Sequence, residues 1–472
     1  MSSLDHPPVI VLPSSGQTPL GTDRTQAAAA HLWGHFTDQG KWSCGQVPTV
    51  VRGEGAYFYD SAGRKIFDGL SGLFVVQAGH GRTELADAAA RQARELAFFP
   101  VWGYAHPPAI DLAERLATLA PGPLNHVFFT SGGGEGVETA WKLAKAYWSL
   151  RGKPDKRKVI SRAGSYHGTT HGALSLTRIA PYSEPFVPLV EGASAAPNTN
   201  FYRSDPQFWD DEVAFGAWAA QGVEDAILSA GPDQVAAVFI EPVQNSGGCF
   251  TAPPNYYQEL QRICRQYQVL LVSDEVICAY GRVGGYFAYP DLGYTPDIVV
   301  SAKGLTSGYV PLGAVLASDE VFEPFSGLEH SFKHGFTFGG HPVAAAVALA
   351  NLDLFEQEGL VDRVRRYSPD FRASLESLKE IPIVGDVRGA GYFFGIELTQ
   401  NQSTRERFSE ADADRIRAYL NPALYQAGLY ARADDRGDVV LQLAPPLTSG
   451  PDEFELITQI LRGVLADVAA GL

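Results

Sequence analysis

Residues 269–303, VLLVSDEVICAYGRVGGYFAYPDLGYTPDIVVSAK, contain two short apolar runs of the kind that forms buried strands. The first run ends at Asp274 and the second at Lys303. Between Asp297 and Asp319, Lys303 is the only residue with a charged side chain. Most lysines are solvated, but a lysine removed from water has a lowered pKa and a free amine that can act as a nucleophile. The stretch therefore predicts two strands that end in polar residues, and it makes Lys303 a candidate nucleophile.

The alternation of strand and helix extends over the middle of the chain. Strand-like runs occupy residues 127–130, 159–162, 235–242, 269–274, 297–302 and 312–318. Between several of them, segments such as EGVETAWKLAKAYWSL and NYYQELQRICRQYQ place their apolar residues on one helical face. This order indicates an α/β fold with a mostly parallel central sheet and helices on both faces. Ligands of such sheets bind at the carboxyl ends of the strands, where the notable polar residues lie.

The two ends of the chain differ from the middle. After residue 344, a long helical stretch precedes VGDVRGAGYFFGIEL, another helix, a strand pair near LYARADDRGDVVLQLAPPL and a last helix over 453–469, as in a small α+β domain. Residues 55–74 predict a hairpin with Ala-Gly at its turn, which we expect to join that domain. We therefore expect an N-terminal segment over 1–75, a large domain over 76–344 and a small domain over 345–472.

Composition limits the classes of protein to which the chain can belong. Of its 472 residues, 45 % are hydrophobic, and the formal net charge of −16 argues against a nucleic-acid or anionic-membrane partner. The four cysteines, Cys44, Cys249, Cys264 and Cys278, are too dispersed for a disulfide framework or a metal site. The N-terminus lacks a signal-peptide pattern, and the longest apolar stretch is too short to span a bilayer. We expect a cytoplasmic protein without a bound metal.

A glycine-rich turn joins a strand-like run to a helix in FFTSGGGEGVETAWKLA, residues 128–144. The free backbone N–H groups and the dipole at the start of a helix form an anion site, and Gly133 and Gly134 would let a phosphate approach the backbone. A plain tight turn is the alternative, because glycine runs alone are weak evidence. No GK[ST] follows as in a Walker loop, and SGGGEG fits the dinucleotide fingerprint GxGxxG poorly.

Two further strand ends carry residues suited to a planar ligand. Tyr166, in SYHG, would lie flat on such a ligand, and a core tyrosine in a turn is the alternative. Asp274 would cap the next turn or, in its functional interpretation, keep a pyridine nitrogen protonated so that the ring becomes an electron sink. An anion cradle, an aromatic platform, a strand-end aspartate and an isolated lysine, in this order, describe a pyridoxal phosphate site.

With these motifs, the chain resembles the class III (omega-type, subgroup II) aminotransferases, which have fold type I of the pyridoxal-phosphate-dependent transferases. The most specific part of the resemblance is LLVSDEVICAYGRVG with PDIVVSAKGLTSGYVPLGAV, and FIEPVQNSGG, HGFTFGGHPVAAA and VRGAGYFFGIEL also match. It implies that Lys303 binds the cofactor covalently and moves the proton during transfer. It also implies that Asp274 pairs with the pyridine nitrogen and that Tyr166 and Val276 enclose the ring.

The resemblance implies further contacts around the cofactor. Gly133 and Gly134 would hold the phosphate, although the serine hydroxyl that many relatives offer is missing at Gly134. Thr337, in GFTFGGH, would reach the phosphate of the partner subunit, so activity would require a homodimer, alone or paired into a tetramer. Glu241, in the EP motif, would lie near the cofactor and contact the residues that bind it. His167 would be structural rather than catalytic.

Substrate contacts follow from the same resemblance. Ornithine- and GABA-type relatives carry a glutamate five residues after the EP glutamate, where this chain has Ser246. A substrate-binding arginine would then be free to swing in for a carboxylate and out for an apolar group, as in the amine:pyruvate and beta-alanine:pyruvate branch. Arg432 is the expected carboxylate ligand and Arg436 the second choice, whereas Arg388 is expected to be structural.

The aromatic lining of the substrate pocket is expected to include Phe74, Trp102 and Tyr166, and ordinary core aromatics are the alternative for the first two. The chain is thus expected to be an aminotransferase that moves an amino group from an amine or omega-amino acid to pyruvate or another oxo acid by a ping-pong mechanism. An aminomutase, racemase or decarboxylase of the same fold is the first alternative. A nicotinamide-dependent oxidoreductase, misread through its glycine turn, is the second.

Overall fold

The computed structural model describes residues 22–45 and 47–471. Its strands are β1 (Val50–Glu54), β2 (Tyr57–Asp60), β3 (Lys65–Asp68), β4 (His126–Thr130), β5 (Lys158–Arg162), β6 (Ala193–Ala196), β7 (Val235–Ile240), β8 (Leu270–Asp274), β9 (Ile298–Ser301), β10 (Gly313–Ala317), β11 (Val384–Ala390), β12 (Phe393–Leu398), β13 (Leu429–Tyr430), β14 (Arg432–Asp434) and β15 (Val440–Leu443).

The α-helices are α1 (Thr22–His31), α2 (Gln39–Ser43), α3 (Ser71–Phe74), α4 (Thr83–Glu95), α5 (Pro107–Leu119), α6 (Gly133–Leu150), α7 (His171–Leu176), α8 (Ala180–Ser183), α9 (Glu212–Ala230), α10 (Tyr256–Gln266), α11 (Asp319–Phe322), α12 (Pro342–Gln357), α13 (Leu360–Glu376), α14 (Glu410–Gln426) and α15 (Pro451–Gly471). Within the described ranges, no helix is long and apolar enough to cross a membrane.

A seven-stranded sheet lies at the centre, in the order β4-β10-β9-β8-β7-β5-β6. The strands from β9 to β6 run parallel, whereas β10 pairs antiparallel with both β9 and β4. β7, β8 and β9 are buried along their whole length, which is typical of parallel strands covered on both faces. The prediction of a mostly parallel α/β sheet is confirmed.

Different helices cover the two faces of this sheet. In β9, Val299 packs into a core that includes Leu112 of α5 and Leu260 of α10. Its neighbour Val300 packs into a second core that includes Trp141 of α6. Because successive strand residues point to opposite faces, helices enclose the sheet from both sides, and its strand ends are left to form a site.

The six strands predicted for the middle of the chain are all present, with bounds that agree to within two residues. Sequence reasoning did not find β6, whose sequence ASAA lacks the β-branched and aromatic residues typical of strands. β6 forms at the edge of the sheet because β5 provides a parallel partner for it. Tertiary pairing, rather than local preference, therefore determines this strand.

Two four-stranded sheets lie outside the central one. β2 and β3 form the predicted hairpin, and β3 pairs in parallel with β13, so the two ends of the chain share a sheet. The other sheet has the order β11-β12-β15-β14 and is antiparallel throughout. The domain boundaries at residues 75 and 344 stay predictions, and residues 1–21 of the predicted N-terminal segment lie outside the described residues.

Candidate active site

A cavity of about 360 Å³ lies where the central strands end. Small-molecule pockets usually measure roughly 300–1,000 Å³, so the cavity has room for a ligand. Its wall is formed by the turn before α6, the segment after β5, the ends of β7 and β8, and the loop after β9. It brings together the predicted cofactor residues Gly133, Gly134, Tyr166, Glu241, Asp274, Val276 and Lys303.

Lys303 lines this cavity two residues after β9 ends at Ser301. Its φ of +42° lies in the left-handed region, which costs a non-glycine residue about 1–3 kcal/mol and is concentrated at functional sites. Burial lowers the pKa of its ammonium, and the nearby carboxylates of Asp274 and Glu241 oppose this shift. The carboxylate of Asp274 is hydrogen-bonded to His167 and forms no salt bridge with Lys303 among the described residues, so the lysine amine is available for reaction.

Asp274, the last residue of β8, is held in place by the buried His167. The Nδ1 atom of His167 lies 2.7 Å from Oδ2 of Asp274, and the backbone N–H of Val276 donates to Oδ1 at 3.1 Å. The other ring nitrogen of His167 is buried and has no hydrogen-bond partner among the described residues. These contacts fix the carboxylate at the cavity wall, where it can hold a protonated ring nitrogen.

Glu241 follows β7 and connects two loops of the cavity wall. Its Oε1 accepts a hydrogen bond of 3.1 Å from the backbone N–H of Tyr166, and its Oε2 accepts one of 3.0 Å from Asn245. Arg162 donates to its backbone carbonyl, and burial raises the pKa of its carboxyl group. Glu241 therefore positions the backbone that carries Tyr166.

The glycine-rich turn leads directly into α6, whose first residue is Gly133. Glu135, in the first turn of this helix, accepts hydrogen bonds of 2.8 Å from both the backbone N–H and the hydroxyl of Ser131. The first N–H groups of a helix have no partner inside it. Gly133 and Gly134 line the cavity with such groups, so this end of the cavity can bind an anion.

The two glycines differ in the space around them. A Cβ atom on Gly133 would lie 2.8 Å from Cγ2 of Val276, so the close approach of these two segments requires glycine. A Cβ atom on Gly134 would meet only Thr170, at 3.5 Å, which is an ordinary contact. Val276 lies beyond the end of β8 and reaches the cavity from the following turn.

Two arginines of the β14–β15 hairpin differ in how firmly they are held. Arg436 has 3 % of its side chain exposed and forms a bidentate pair with Asp434, with Nε–Oδ1 at 2.6 Å and Nη2–Oδ2 at 2.9 Å. Burial opposes the charge of Arg436, but Asp434 raises its pKa. Arg432 has 26 % of its side chain exposed and only approaches Asp435, at 3.5 Å. Arg432 is therefore the freer cation.

Of the residues predicted to contact the substrate, Tyr166 lines the cavity in the described part of the chain. The others do not, and neither does Thr337; they are Arg432, Phe74, Trp102 and Ser246. Thr337 is exposed at the surface, and Trp102 is 61 % exposed. Phe74 is buried and packs against Phe393 with ring centroids 5.5 Å apart. Ser246 is buried, and its hydroxyl has no hydrogen-bond partner among the described residues.

Arg388 lies in a buried ion-pair cluster. Its Nη1 atom lies 2.6 Å from Glu397 and 3.0 Å from Asp386, and its Nε donates to the carbonyl of Gly248 at 2.6 Å. These partners engage Nη1 and Nε, and Glu397 and Asp386 raise the pKa of Arg388 despite its burial. Its Nη2 atom has no hydrogen-bond partner among the described residues. The arrangement supports the expectation that Arg388 is structural.

The groups around the cavity fit pyridoxal phosphate. The start of α6 offers backbone N–H groups for a phosphate, and the absence of a Cβ atom at Gly133 lets Val276 approach this turn closely. Lys303 offers an amine for an aldehyde, and Asp274 offers an oriented carboxylate for a ring nitrogen. A phosphate, an aldehyde and a basic ring nitrogen on one flat molecule match this donor set.

Comparisons with known proteins agree with this geometry. The family described as Aminotransferase class-III matches residues 42–465. A probable aminotransferase of Mycobacterium tuberculosis is 59 % identical over 93 % of each chain. Two proteins of Pseudomonas aeruginosa are also similar: a putrescine–pyruvate aminotransferase, 37 % identical over 93 % of this chain and 94 % of its own, and a beta-alanine–pyruvate aminotransferase, 36 % identical over 88 % and 92 %.

Solved structures show the same similarity. An (S)-enantioselective omega-transaminase from Thermomicrobium roseum is 38 % identical, with a TM-score of 0.90 over 96 % of this chain and all of its own. The omega-transaminase of Pseudomonas jessenii in complex with PMP is 31 % identical, with a TM-score of 0.90 over 95 % and 98 % of the two chains. The expected fold and transaminase activity are confirmed, in preference to the nicotinamide-dependent alternative. The chain is an aminotransferase and belongs to the class-III aminotransferase family.

Proposed function

We propose that this aminotransferase uses pyridoxal phosphate to move an amino group from an amine or omega-amino acid to pyruvate or another oxo acid. The observation that carries the proposal is one cavity that combines the Lys303 amine, the oriented Asp274 carboxylate and the start of α6. The relatives named for putrescine, beta-alanine and pyruvate support the substrate class, and the solved relative with PMP supports the cofactor.

Lys303 would act twice in this reaction. Its amine would hold the cofactor and would later carry a proton between the two carbon atoms on either side of the substrate nitrogen, as a general base and acid. Bond formation to the cofactor and removal of the proton both require an uncharged amine, and burial favours this form by lowering the pKa of Lys303. The ammonium that forms when Lys303 takes up the proton then returns it to the second carbon. Bound pyridoxal phosphate would supply an electron sink for the negative charge that develops when the proton leaves carbon.

Asp274 and its neighbours would orient the ring. The carboxylate of Asp274, held by His167, would accept a hydrogen bond from the ring nitrogen and keep it protonated. Tyr166 and Val276 line the same cavity and would enclose the ring from its two faces. Glu241 would keep Tyr166 in place through its backbone N–H.

The phosphate would be bound by two subunits. Gly133 and Gly134 would donate backbone N–H groups from one subunit, and Thr337 of the partner subunit would donate its hydroxyl. The exposure of Thr337, Trp102 and Phe338 supports a homodimer through this face, because large apolar side chains at a surface mark interaction sites. Analytical ultracentrifugation would measure the dimer, and a stable monomer with full activity would contradict this arrangement.

Arg432 would bind the substrate carboxylate. It lies on β14 and is held by a single 3.5 Å contact, so it can move towards an acid or away from an apolar group. Arg436 forms two hydrogen bonds to Asp434, and both would have to break before its side chain could move. Phe74 and Trp102 would shape the substrate pocket, and the small Ser246 would leave the arginine without an acidic partner on that loop.

The test is the two half-reactions of the purified protein with pyridoxal phosphate. Beta-alanine, putrescine and an arylethylamine are added separately while the visible absorbance of the cofactor is recorded, and pyruvate is added afterwards. We expect an amine to bleach the band and pyruvate to restore it with formation of alanine. A band that no amine bleaches would favour the aminomutase, racemase or decarboxylase alternative, and the absence of a band would contradict the cofactor.

We also propose that the protein works in the reducing environment of the cytoplasm. All four cysteines are free thiols, with Cys249, Cys264 and Cys278 buried and Cys44 exposed. Unpaired thiols are the usual state of cysteine in that compartment. Fractionation of cells that produce the protein would test this, since recovery outside the cytoplasm would contradict it.

A further inference from the structure

The loop that follows Lys303 has an unusual backbone. Lys303 has a φ of +42° and Ser307 a φ of +47°, so two side-chain-bearing residues lie in the left-handed region within five positions. Such conformations persist only where the surrounding structure enforces them. Something outside this loop must therefore hold it in place.

Asn351, on α12, makes that contact. It is fully buried, and its side-chain Nδ2 donates to the backbone carbonyls of Gly304 at 3.0 Å and Leu305 at 3.1 Å. Its Oδ1 accepts a hydrogen bond of 2.7 Å from the hydroxyl of Ser307. Both amide hydrogens and the amide oxygen of Asn351 are thus engaged with the three residues that shape the loop.

The loop is held on its other side by the segment before α4. The hydroxyl of Ser307 accepts a hydrogen bond of 3.0 Å from the backbone N–H of Ala78. Gln77 lies so close to Gly304 that a Cβ atom there would overlap the oxygen of its side chain. Gln77 is itself fixed by a hydrogen bond of 3.0 Å to the carbonyl of Ala279. The loop is therefore clamped between α12 and residues 77–78.

We propose that Asn351, together with Ser307, is a positioning residue that fixes the backbone of Lys303 so that its amine reaches the reacting atoms. This inference rests on the proposed function of Lys303. Neither Asn351 nor Ser307 lines the cavity in the described part of the chain, so they act through the lysine and not on the substrate. A shift of about 1 Å in a reacting group can cost about 100-fold in rate.

The chemistry of the contact requires an amide. Replacing Asn351 with Asp would place a carboxylate oxygen against two carbonyl oxygens, so two attractive contacts would become repulsive. Replacing it with Ala would leave two buried carbonyls and the Ser307 hydroxyl without this partner. Asn351→Asp is therefore expected to damage the site at least as much as Asn351→Ala.

The test compares Asn351→Ala and Asn351→Asp with the wild-type holoenzyme. We expect kcat to fall by about 100-fold, while KM for the amine stays within about twofold, because the substrate contacts are untouched. The midpoint of the pH titration of the visible absorbance should also shift, because it reports the environment of the Lys303 nitrogen. The dissociation constant of pyridoxal phosphate, measured on cofactor-free protein, gives a readout that does not depend on turnover, and it should rise.

Ser374→Ala is the matched control. It removes a partly buried hydrogen bond of 2.6 Å between Ser374 of α13 and Thr458 of α15, neither of which contacts the Lys303 loop. It is expected to leave both kcat and the absorbance titration unchanged. If Asn351→Ala changed these two quantities no more than Ser374→Ala, the positioning role would be contradicted.

Two outcomes separate this inference from the proposed function. A wild-type protein without cofactor absorbance or amino transfer would overturn the proposed function, whereas an active wild type with unaffected Asn351 variants would overturn only the positioning role. If Asn351→Ala does not fold, Ser307→Ala tests the proposal instead, because it keeps the hydrogen bonds that Asn351 donates to Gly304 and Leu305. It should lower kcat by about tenfold or more, because it removes the hydrogen bonds of the Ser307 hydroxyl to both Asn351 and Ala78, and an unchanged kcat would contradict the proposal.

Discussion

Lys156 and Lys303 are two lysines whose surroundings differ. Lys156 is buried, and its Nζ donates to the carbonyls of Pro232, Val235 and Tyr267 at 2.8, 3.0 and 3.2 Å. All three ammonium hydrogens are therefore used. Lys303 lines the cavity. The carboxylate of Asp274 lines the same cavity and is hydrogen-bonded to His167.

Burial lowers the pKa of both lysines, of Lys156 to about 8. A lowered pKa therefore does not by itself identify the reactive amine. The difference is that the three carbonyls engage the ammonium of Lys156, whereas Lys303 lines the cavity and its amine has no hydrogen bond to a described residue. The same contrast separates Arg436, which is saturated by Asp434, from Arg432, which is loosely held. In both pairs we assign function to the basic side chain that the surrounding residues hold less firmly.

The largest effect is expected from Lys303→Ala. Turnover should fall by about 10⁴-fold or more, because both the covalent link to the cofactor and the proton carrier are lost. The protein should still fold and bind pyridoxal phosphate without covalent attachment. Stopped-flow measurement of the amine half-reaction gives the rate. Retained turnover in Lys303→Ala would contradict the assignment of the reactive amine to Lys303. The control is Lys156→Met, which should keep the wild-type rate.

A smaller effect is expected from Arg432→Ala. Loss of one charge-assisted contact should raise KM for a carboxylate substrate such as beta-alanine by about 10- to 100-fold, while an arylethylamine donor is little affected. Arg436→Ala should instead lower stability, because it leaves the buried Asp434 unpaired. Steady-state kinetics with both donors separates the two. Equal losses for both donors in Arg432→Ala would move the carboxylate site elsewhere.

Lys156→Met is expected to affect stability alone. The substitution keeps the length of the side chain but deprives three carbonyls of their donor, so the free energy of unfolding should fall by about 1–3 kcal/mol. Urea denaturation followed by circular dichroism measures this change. An unchanged or higher free energy of unfolding would show that the hydrogen bonds of the Lys156 ammonium do not stabilise the folded protein.

The smallest effect is a dependence of this difference on pH. The pKa of Lys156 is lowered by burial from 10.5 to about 8, so between these values the unfolded chain binds more protons than the folded one. The stability contribution of the lowered pKa is therefore present above about pH 10.5 and is lost as pH falls towards 8. The stability of the wild type relative to Lys156→Met should rise between about pH 7.5 and about pH 10. A stability difference that does not change with pH would contradict the lowered pKa of Lys156.

The strands of the central sheet and the polar residues at their ends could be predicted because their signals are local in the sequence. Apolar runs that end in Asp274 and Lys303 predict strands, and parallel strands bring their carboxyl ends to one edge of the sheet. The cavity at that edge joins residues from segments that are distant in the sequence, as that topology requires. The roles of the individual residues stay predictions, since geometry alone does not measure a reaction.

Other features could not be predicted because their partners are distant in sequence. Lys156 lies in the run KPDKRK, which is typical of a solvated surface, and its burial depends on carbonyls at residues 232, 235 and 267. The contact of His167 with Asp274 spans 107 positions. Asn351 did leave a signal, as the single polar side chain in the helical run PVAAAVALANL, residues 342–352. A buried amide in an apolar helix needs partners, and that reasoning would have singled it out.

The most direct test of the account is to identify the lysine that binds the cofactor. Wild-type protein loaded with pyridoxal phosphate is reduced with borohydride, which makes the lysine–cofactor bond permanent, then digested and analysed by peptide mass spectrometry. The account predicts a single modified peptide that carries the label on Lys303, with Lys156 unmodified. A label on Lys156 or on any other lysine, or none at all, would contradict it.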